Sequence, residues 1–181
     1  MKYICKFFLW LLGWKAVEPP AEEPKCIILG VPHTSAWDFV ISYFYYTSVG
    51  GRASVMVKKE FFWGPLAPVM RFMGAVPVDR KHGSSVAFQM IEAIRKADRM
   101  HLAIAPEGTR KATLRWKTGF HTIARACDIP VYLGYFDWKT KRIGRGQKFN
   151  ITEDAQADLK RIMEHYRASG YEGRNKEGFA C

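Results

Sequence analysis

The stretch Cys26-Ile27-Ile28-Leu29-Gly30-Val31-Pro32-His33-Thr34-Ser35-Ala36-Trp37-Asp38 passes from an apolar run into a polar turn. The apolar run is short and lies between two prolines, which predicts a buried strand. Ser35 and Asp38 precede another apolar segment, and that spacing is typical of the start of a helix. We therefore expect a strand, a tight turn and a helix, with His33 on the turn.

A histidine on such a turn is well placed for acid–base chemistry. His33 would take a proton from a substrate hydroxyl, and Asp38 would orient the imidazole and stabilise the imidazolium. The alternative is structural. Asp38 would then be a carboxylate favoured by the helix dipole, and His33 an ordinary loop residue. A pair with this spacing is expected by chance often enough to keep both interpretations open.

Composition restricts the class of protein and of partner. The 181 residues favour one domain, and a 48% apolar content is enough for a sizeable core. A net charge of +11 favours an anionic partner: a membrane, a nucleic acid or a phosphorylated substrate. The 14% aromatic content fits a membrane interface or stacking on nucleic acid. Four scattered cysteines indicate reduced thiols in a cytosolic protein, and we expect no metal site.

The N-terminal segment is the most apolar part of the chain. Residues 1–14 are too few to cross a bilayer, which takes about 20 residues. Several large apolar residues share one face at helical spacing, so we expect residues 1–16 to form an amphipathic helix on the membrane surface. The alternative is a terminal helix packed on the core. That face comprises Ile4, Phe7, Phe8, Leu11 and Trp14.

Strand and helix patterns alternate from residue 25 to residue 169, after an acidic, proline-rich linker at residues 17–24. This order predicts a single-domain α/β sandwich with a mostly parallel central sheet flanked by helices. Residues 129–136 are predicted to form one strand, followed by a hairpin partner at 142–151. The polar residues 170–181 are expected to form a flexible tail.

Aromatic residues at 61–63 fit either the core or a second membrane contact.

Chemically active residues follow several of the predicted strands. Because sites form at the carboxyl ends of parallel strands, we expect His33, Arg80 and Glu107-Gly108-Thr109-Arg110 to meet at one edge. Glycine allows close approach of a ligand, and arginine offers a planar fork for phosphate. The alternative is a surface turn in which Glu107 pairs with Arg110.

Taken together, these turns resemble the glycerolipid acyltransferases typified by 1-acyl-sn-glycerol-3-phosphate acyltransferase. The family's first motif is a histidine and an aspartate separated by four residues, as in His33 and Asp38. The second, third and fourth motifs resemble Gly74 to Arg80, Glu107 to Arg110, and Ile129-Pro130-Val131. The resemblance covers residues 25–137. The expected acyltransferase domain is longer and comprises residues 25–169. Two departures are Pro32, where the family usually has asparagine, and the missing second proline of the fourth motif.

The resemblance implies transfer of a fatty acyl chain from acyl-CoA or acyl-carrier protein, as co-substrate, to the hydroxyl of a lysophospholipid. The acceptor would be lysophosphatidic acid, giving phosphatidic acid, with a lyso-aminolipid as the alternative. His33 would be the general base supported by Asp38, and no cofactor or acyl-enzyme is needed. Backbone N–H groups near the helix start would stabilise the oxyanion. The acceptor phosphate would lie among Arg80, Glu107, Gly108, Thr109, Arg110 and Lys117, with Glu107 bracing the arginines.

The same resemblance places the enzyme on the cytoplasmic face of an anionic membrane, as a peripheral or monotopic protein. Two other classes of function remain. A nucleic-acid-binding protein would use the basic hairpin of Lys139, Lys141, Arg142, Arg145 and Lys148, but no recognised binding motif supports it. A non-catalytic membrane-peripheral protein would keep the fold and show no activity in a thioester assay.

Overall fold

A mostly parallel sheet organises the chain, as the alternation of strands and helices predicts. The computed structural model describes residues 1–79 and 86–181. Its helices are α1 (Lys2–Leu11), α2 (Trp37–Ser48), α3 (Leu66–Phe72), α4 (Val86–Lys96), α5 (Gly119–Cys127) and α6 (Ala155–Ser169). Its strands are β1 (Lys15–Ala16), β2 (Lys25–Leu29), β3 (Ala53–Lys58), β4 (Ala75–Val78), β5 (Met100–Ile104), β6 (Val131–Tyr132), β7 (Tyr135–Asp137), β8 (Arg142–Gly144) and β9 (Lys148–Phe149).

In this part of the chain the larger sheet has the strand order β4-β3-β5-β2-β6-β9. Its strands run parallel except β9, which pairs antiparallel with β6. A smaller sheet has the order β1-β8-β7. The predicted α/β sandwich with a mostly parallel central sheet is confirmed.

The strand β2 is buried on both faces, which explains its continuous apolar sequence. Ile27 and Leu29 belong to one core cluster, together with residues of α4, α5 and α6. Cys26 and Ile28 belong to a second cluster on the other face, with residues of α1 and α2. The two clusters are separated by the sheet, and His33 follows at its carboxyl edge.

The segment 129–136 forms two strands rather than the single predicted one. β6 joins the larger sheet and β7 the smaller one, with a break at Leu133 and Gly134. Gly134 passes so close to β2 that a Cβ atom there would lie 2.5 Å from the carbonyl oxygen of Leu29. The hairpin partner divides in the same way, into β8 and β9.

The N-terminal helix is shorter than expected and is both packed and exposed. α1 ends at Leu11, and Lys15–Ala16 form a strand of the smaller sheet. Cys5 and Leu9 are buried in the contact of α1 with α2. Trp14, expected on the membrane face, instead packs edge-on against Trp138 with ring centroids 4.9 Å apart. The side chains of α1 that remain exposed are mostly large and apolar: Tyr3, Ile4, Phe7, Phe8, Trp10 and Leu11.

No helix within the described residues combines the length and the apolar content that crossing a bilayer requires. The aromatic turn at 61–63 is not a core element, because Phe61 is exposed and Trp63 is 66% exposed. The following helix, α3, has no buried residue either. The core interpretation of that turn is therefore wrong.

The linker and the tail both pack on the domain. Ala21 is buried and its N–H donates to the hydroxyl of Tyr46. Beyond α6, the ring of Tyr171 stacks on Tyr135 at 4.5 Å, and Phe179 packs on the core. The tail, which the sequence predicts to be flexible, is thus in contact with the domain through these aromatic residues and several hydrogen bonds. We call residues 171–181 the C-terminal strap.

Candidate active site

His33 lies on the turn between β2 and α2, as the sequence predicts. Its Nδ1 is 3.3 Å from Oδ2 of Asp38. The two side chains differ in exposure, at 28% for His33 and 1% for Asp38. A half-buried imidazole beside a buried carboxylate keeps its other nitrogen available to a substrate, which is the arrangement a general base needs.

Asp38 is held by three further donors. Its Oδ2 accepts from the backbone N–H groups of Thr34 at 2.8 Å and Ser35 at 2.7 Å. Its Oδ1 accepts from Nε1 of Trp138 at 2.8 Å. The first two bonds are the acidic half of the predicted capping arrangement, and Ser35 Oγ accepts from the N–H of Trp37. With both oxygens engaged, the carboxylate has one orientation, toward the imidazole.

Glu107 binds the backbone of the same turn. Both of its oxygens accept from the N–H of His33, at 3.2 and 2.9 Å, and the residue is 4% exposed. Burial raises the pKa of Glu107 to about 8, the His33 N–H opposes that shift, and the charge of Asp38 adds to it. Glu107 therefore positions His33. The sequence led us to expect Glu107 in the phosphate site, bracing the arginines. Its carboxyl group instead contacts the backbone of His33.

These contacts also engage several of the backbone N–H groups that were expected to stabilise the oxyanion. The N–H groups of His33, Thr34 and Ser35 donate to side-chain carboxyl groups, and that of Trp37 donates to a hydroxyl. Groups already bound inside the protein are not free to stabilise a developing charge. The sequence does not reveal this, because Glu107 is distant in the chain and reaches the turn only through the β2–β5 pairing.

The third motif lies beside the histidine turn. Gly108 has φ +66°, a conformation that favours glycine, and a Cβ there would lie 3.3 Å from Cγ of Lys117. Thr109 Oγ1 accepts from the N–H of Lys111. Arg110 is exposed and has no carboxylate within ion-pair distance in the part of the chain that the structure describes, so its expected alternative pairing with Glu107 is not observed. Arg80 lies outside the described residues.

A cavity of about 610 Å³ opens between α2 and the sheet. Its wall includes His33 and Asp38 at one side and Gly108, Thr109 and Arg110 beside them. The remaining wall is mainly apolar, from α2 and strands β2, β3 and β5. Ligand sites in proteins have this size and this combination of an apolar interior with a few convergent polar groups.

Small residues leave the space for this cavity. Gly30, Ala53, Ala103 and Ala105 all line it, where larger side chains would fill the gap between α2 and the sheet. Sequence reasoning missed the cavity. The available signal was a pair of small residues two positions apart, Ala103 and Ala105, at the end of an apolar run.

Within residues 1–79 and 86–181, no three His, Cys, Asp or Glu side chains are grouped so that they can hold a metal ion. Of the residues predicted from the sequence, the structure brings together His33, Asp38, Gly108, Thr109, Arg110 and Lys117, and Glu107 contacts the backbone of the histidine turn.

Comparisons with known proteins identify the family and the fold. A family model described as Acyltransferase matches residues 18–133. The fold is similar to the crystal structure of the 1-acyl-sn-glycerophosphate (LPA) acyltransferase PlsC from Thermotoga maritima, with a TM-score of 0.66 and 14% sequence identity. That match covers 93% of this chain and 76% of the other. A search of curated protein sequences found no match.

Proposed function

Since the chain belongs to the acyltransferase family, we propose that it moves a fatty acyl chain from a thioester to the hydroxyl of a lysophospholipid. The proposed acceptor is lysophosphatidic acid, which would become phosphatidic acid. The donor is acyl-CoA or acyl-carrier protein. One observation carries the proposal: His33 and Arg110 line the same largely apolar cavity, with Asp38 at 3.3 Å from the imidazole.

The proposed reaction needs one base and no covalent enzyme intermediate. The free nitrogen of His33 takes the proton of the acceptor hydroxyl while the oxygen bonds to the thioester carbonyl carbon. The C–S bond then breaks, and the departing thiolate receives that proton from the imidazolium. The products are an ester and a thiol. Asp38 stabilises the imidazolium between these steps, and Trp138 and two backbone N–H groups keep Asp38 in place.

Two chemically different walls support a lipid substrate. The apolar wall between α2 and the sheet suits an acyl chain, because burying methylene groups is favourable. Arg110 at the same cavity suits the phosphate, since its guanidinium can make two parallel hydrogen bonds. Gly108 lets Lys117 lie close to this point, which adds a second positive charge.

The lipid acceptor lies in a bilayer, and we propose that two exposed apolar surfaces bind its cytoplasmic, anionic leaflet. One is the outer face of α1, including Phe7 and Trp10. The other is the aromatic turn with α3, including Phe61 and Trp63. The β2–β3 and β3–β4 crossovers both move toward the β4 edge, so right-handed connections put α2 and α3 on one face. α1 packs on α2, and the two surfaces therefore share a side of the domain.

Co-sedimentation with anionic vesicles tests the membrane proposal. Replacing Phe7 and Trp10 together by Glu should greatly reduce binding, since both lie outside the α1–α2 contact. The matched control is Phe88→Glu, an exposed ring on α4 across the sheet. Equal loss of binding in both variants would remove α1 from the membrane surface.

The nucleic-acid alternative has little support, because most cations of the basic hairpin are engaged within the chain. Lys139 and Lys148 pair with Glu172 and Glu23, both at 2.8 Å. Arg145 donates from Nε to the carbonyl oxygen of Pro19 and from Nη1 to that of Gly146. Such cations offer little to a phosphate backbone.

The acceptor is tested with purified protein and one acyl thioester, offering lysophosphatidic acid or a lyso-aminolipid. Lysophosphatidic acid should react faster. Arg110→Lys keeps the charge but loses the fork, so kcat/KM for the phosphate acceptor should fall clearly. Arg115→Lys, an exposed arginine of the same loop, is the control. Preference for the aminolipid, with Arg110→Lys unchanged, would exclude the phosphate acceptor.

A further inference from the structure

The C-terminal strap forms one wall of a second, basic cleft beside the catalytic turn. This cleft, of about 560 Å³, adjoins the first cavity at Arg110, which lines both. Its opposite walls are the loop at Arg110 and Lys111, and the strap residues 174–178. Lys176 and Glu177 also line it, but Lys176 pairs with Glu172 at 3.2 Å.

Contacts with the residue after His33 fix the strap in this position. Thr34 is 2% exposed, and its Oγ1 accepts from the N–H of Asn175. The side chain of Asn175 donates to the carbonyl oxygen of Thr34. Gly173 passes so close that a Cβ there would lie 2.5 Å from Cγ2 of Thr34. At the other end, Trp116 Nε1 donates to the carbonyl oxygen of Ala180.

Arg174 is held in the same structure by aromatic rings. Its guanidinium lies 5.3 Å from the ring centroids of both Trp37 and Trp138. Trp138 is the residue that donates to Asp38. Aromatic contact through the face of a guanidinium leaves the N–H groups at its edge available for a bidentate ligand.

Three cations of the cleft lack an anionic partner. Among residues 1–79 and 86–181, no carboxylate lies within ion-pair distance of Arg110, Lys111 or Arg174. These three cations outnumber the carboxylate of Glu177 in the same cleft, so the local potential is positive and attracts an anion. Two arginine forks on facing walls suit the several oxygens of a phosphate better than a single carboxylate.

We infer that this cleft is a phosphate site, in which Arg174 faces Arg110 and Lys111 across a phosphate group of a substrate. The inference rests on the proposed function, since it adds a wall to the same active site. The phosphate belongs either to the headgroup of the acceptor or to the donor thioester, whose CoA portion carries phosphates. In both cases Arg174 binds substrate, and the strap sets specificity for phosphorylated ligands.

Steady-state kinetics of Arg174→Ala test this inference with two donors and two acceptors. The donors are acyl-CoA and acyl-pantetheine, and the acceptors are lysophosphatidic acid and monoacylglycerol. One member of each pair lacks phosphate. KM for the phosphate-bearing substrate should rise roughly tenfold, the size of one lost charge-assisted hydrogen bond, with kcat little changed. Arg174→Lys should recover part of the loss, and Lys160→Ala, which removes an exposed charge on α6, should have no effect.

Each outcome distinguishes a source or overturns the inference. A rise confined to acyl-CoA identifies the donor, and a rise confined to lysophosphatidic acid identifies the acceptor. A fall in kcat that is equal for all four substrates would instead mean that Arg174 only steadies Trp138 and Asp38, and would overturn the site.

Calorimetric titration with inorganic pyrophosphate separates this inference from the proposed function, because it needs no turnover. Wild type should bind pyrophosphate more tightly than Arg174→Ala does. Equal binding by the two proteins would exclude the phosphate site, even if the acyltransferase reaction is observed.

Discussion

Two histidine–aspartate pairs in this molecule have almost the same distance and different surroundings. His33 and Asp38 are 3.3 Å apart, and His121 and Asp158 are 3.2 Å apart. The side chain of His33 is partly exposed at a cavity, whereas that of His121 is 5% exposed. His121 Nε2 contacts both Asp158 and the carbonyl oxygen of Thr152, and so connects α5 with the segment that enters α6.

The distance within a pair is therefore not enough to identify a candidate general base. A base needs a free nitrogen and space for a substrate, and only the first pair lines the cavity of about 610 Å³. Asp158 is instead one centre of a structural network, bound also by Thr152 and Arg161. The two pairs are therefore expected to respond in opposite ways to substitution.

The largest effect is expected for His33→Ala. Loss of the general base should lower kcat by at least about 10²-fold, while stability and vesicle binding stay near those of wild type. Thioester turnover and thermal unfolding of the purified variant measure the two quantities. Near-normal turnover by a folded His33→Ala protein would remove His33 from the chemistry.

Asp38→Asn should have the next largest effect. The three donors bound by Asp38 cannot all be kept, because one asparagine atom is an NH₂ group and would face either Trp138 or the two backbone N–H groups. We expect roughly 10- to 100-fold lower kcat and about 1–3 kcal/mol lower stability. Denaturant unfolding measured beside the rate separates the two. Full activity with lowered stability would reduce Asp38 to a helix-start residue.

His121→Ala should reverse the pattern of His33→Ala. Removing the buried ring takes a partner from Asp158 and leaves a void, which should cost about 2 kcal/mol of unfolding free energy. The kcat of the folded protein should not change, because His121 does not line the cavity. A large loss of kcat without loss of stability would contradict the distinction between the pairs.

Glu107→Gln should have a smaller, pH-dependent effect. Glu107 in the folded protein keeps its proton up to a pKa of about 8, from an ordinary 4.5, because it is buried. The folded state thus binds more protons than the unfolded state between these values, and stability falls as pH rises, by up to roughly 1.4 kcal/mol per unit. Glutamine imitates the neutral acid, so denaturant unfolding at several pH values should show a flatter dependence. Glu92→Gln, on the solvent side of α4, should keep the wild-type slope.

Much of this site is predictable from local sequence. The turn at His33 follows from an apolar strand beside a helix start, and both signals lie within a few residues. Gly108 and Arg110 are predictable because a glycine turn after a buried strand exposes its side chains at the sheet edge. The role of Glu107 is not predictable in this way. A carboxylate in a basic motif suggests pairing with arginine, but burial and the His33 N–H decide otherwise.

The sequence by itself therefore determines the parallel α/β order, the strand–turn–helix that presents His33, and the third motif, because periodicity and turn residues act over short distances. The tertiary structure alone decides what depends on residues far apart in the chain. Pairing of β2 with β5 brings Glu107 under His33, and small residues on separate strands leave the cavity. Contact of Asn175 with Thr34 turns an apparently loose tail into a wall of the site, since a polar segment carries no local signal of where it packs.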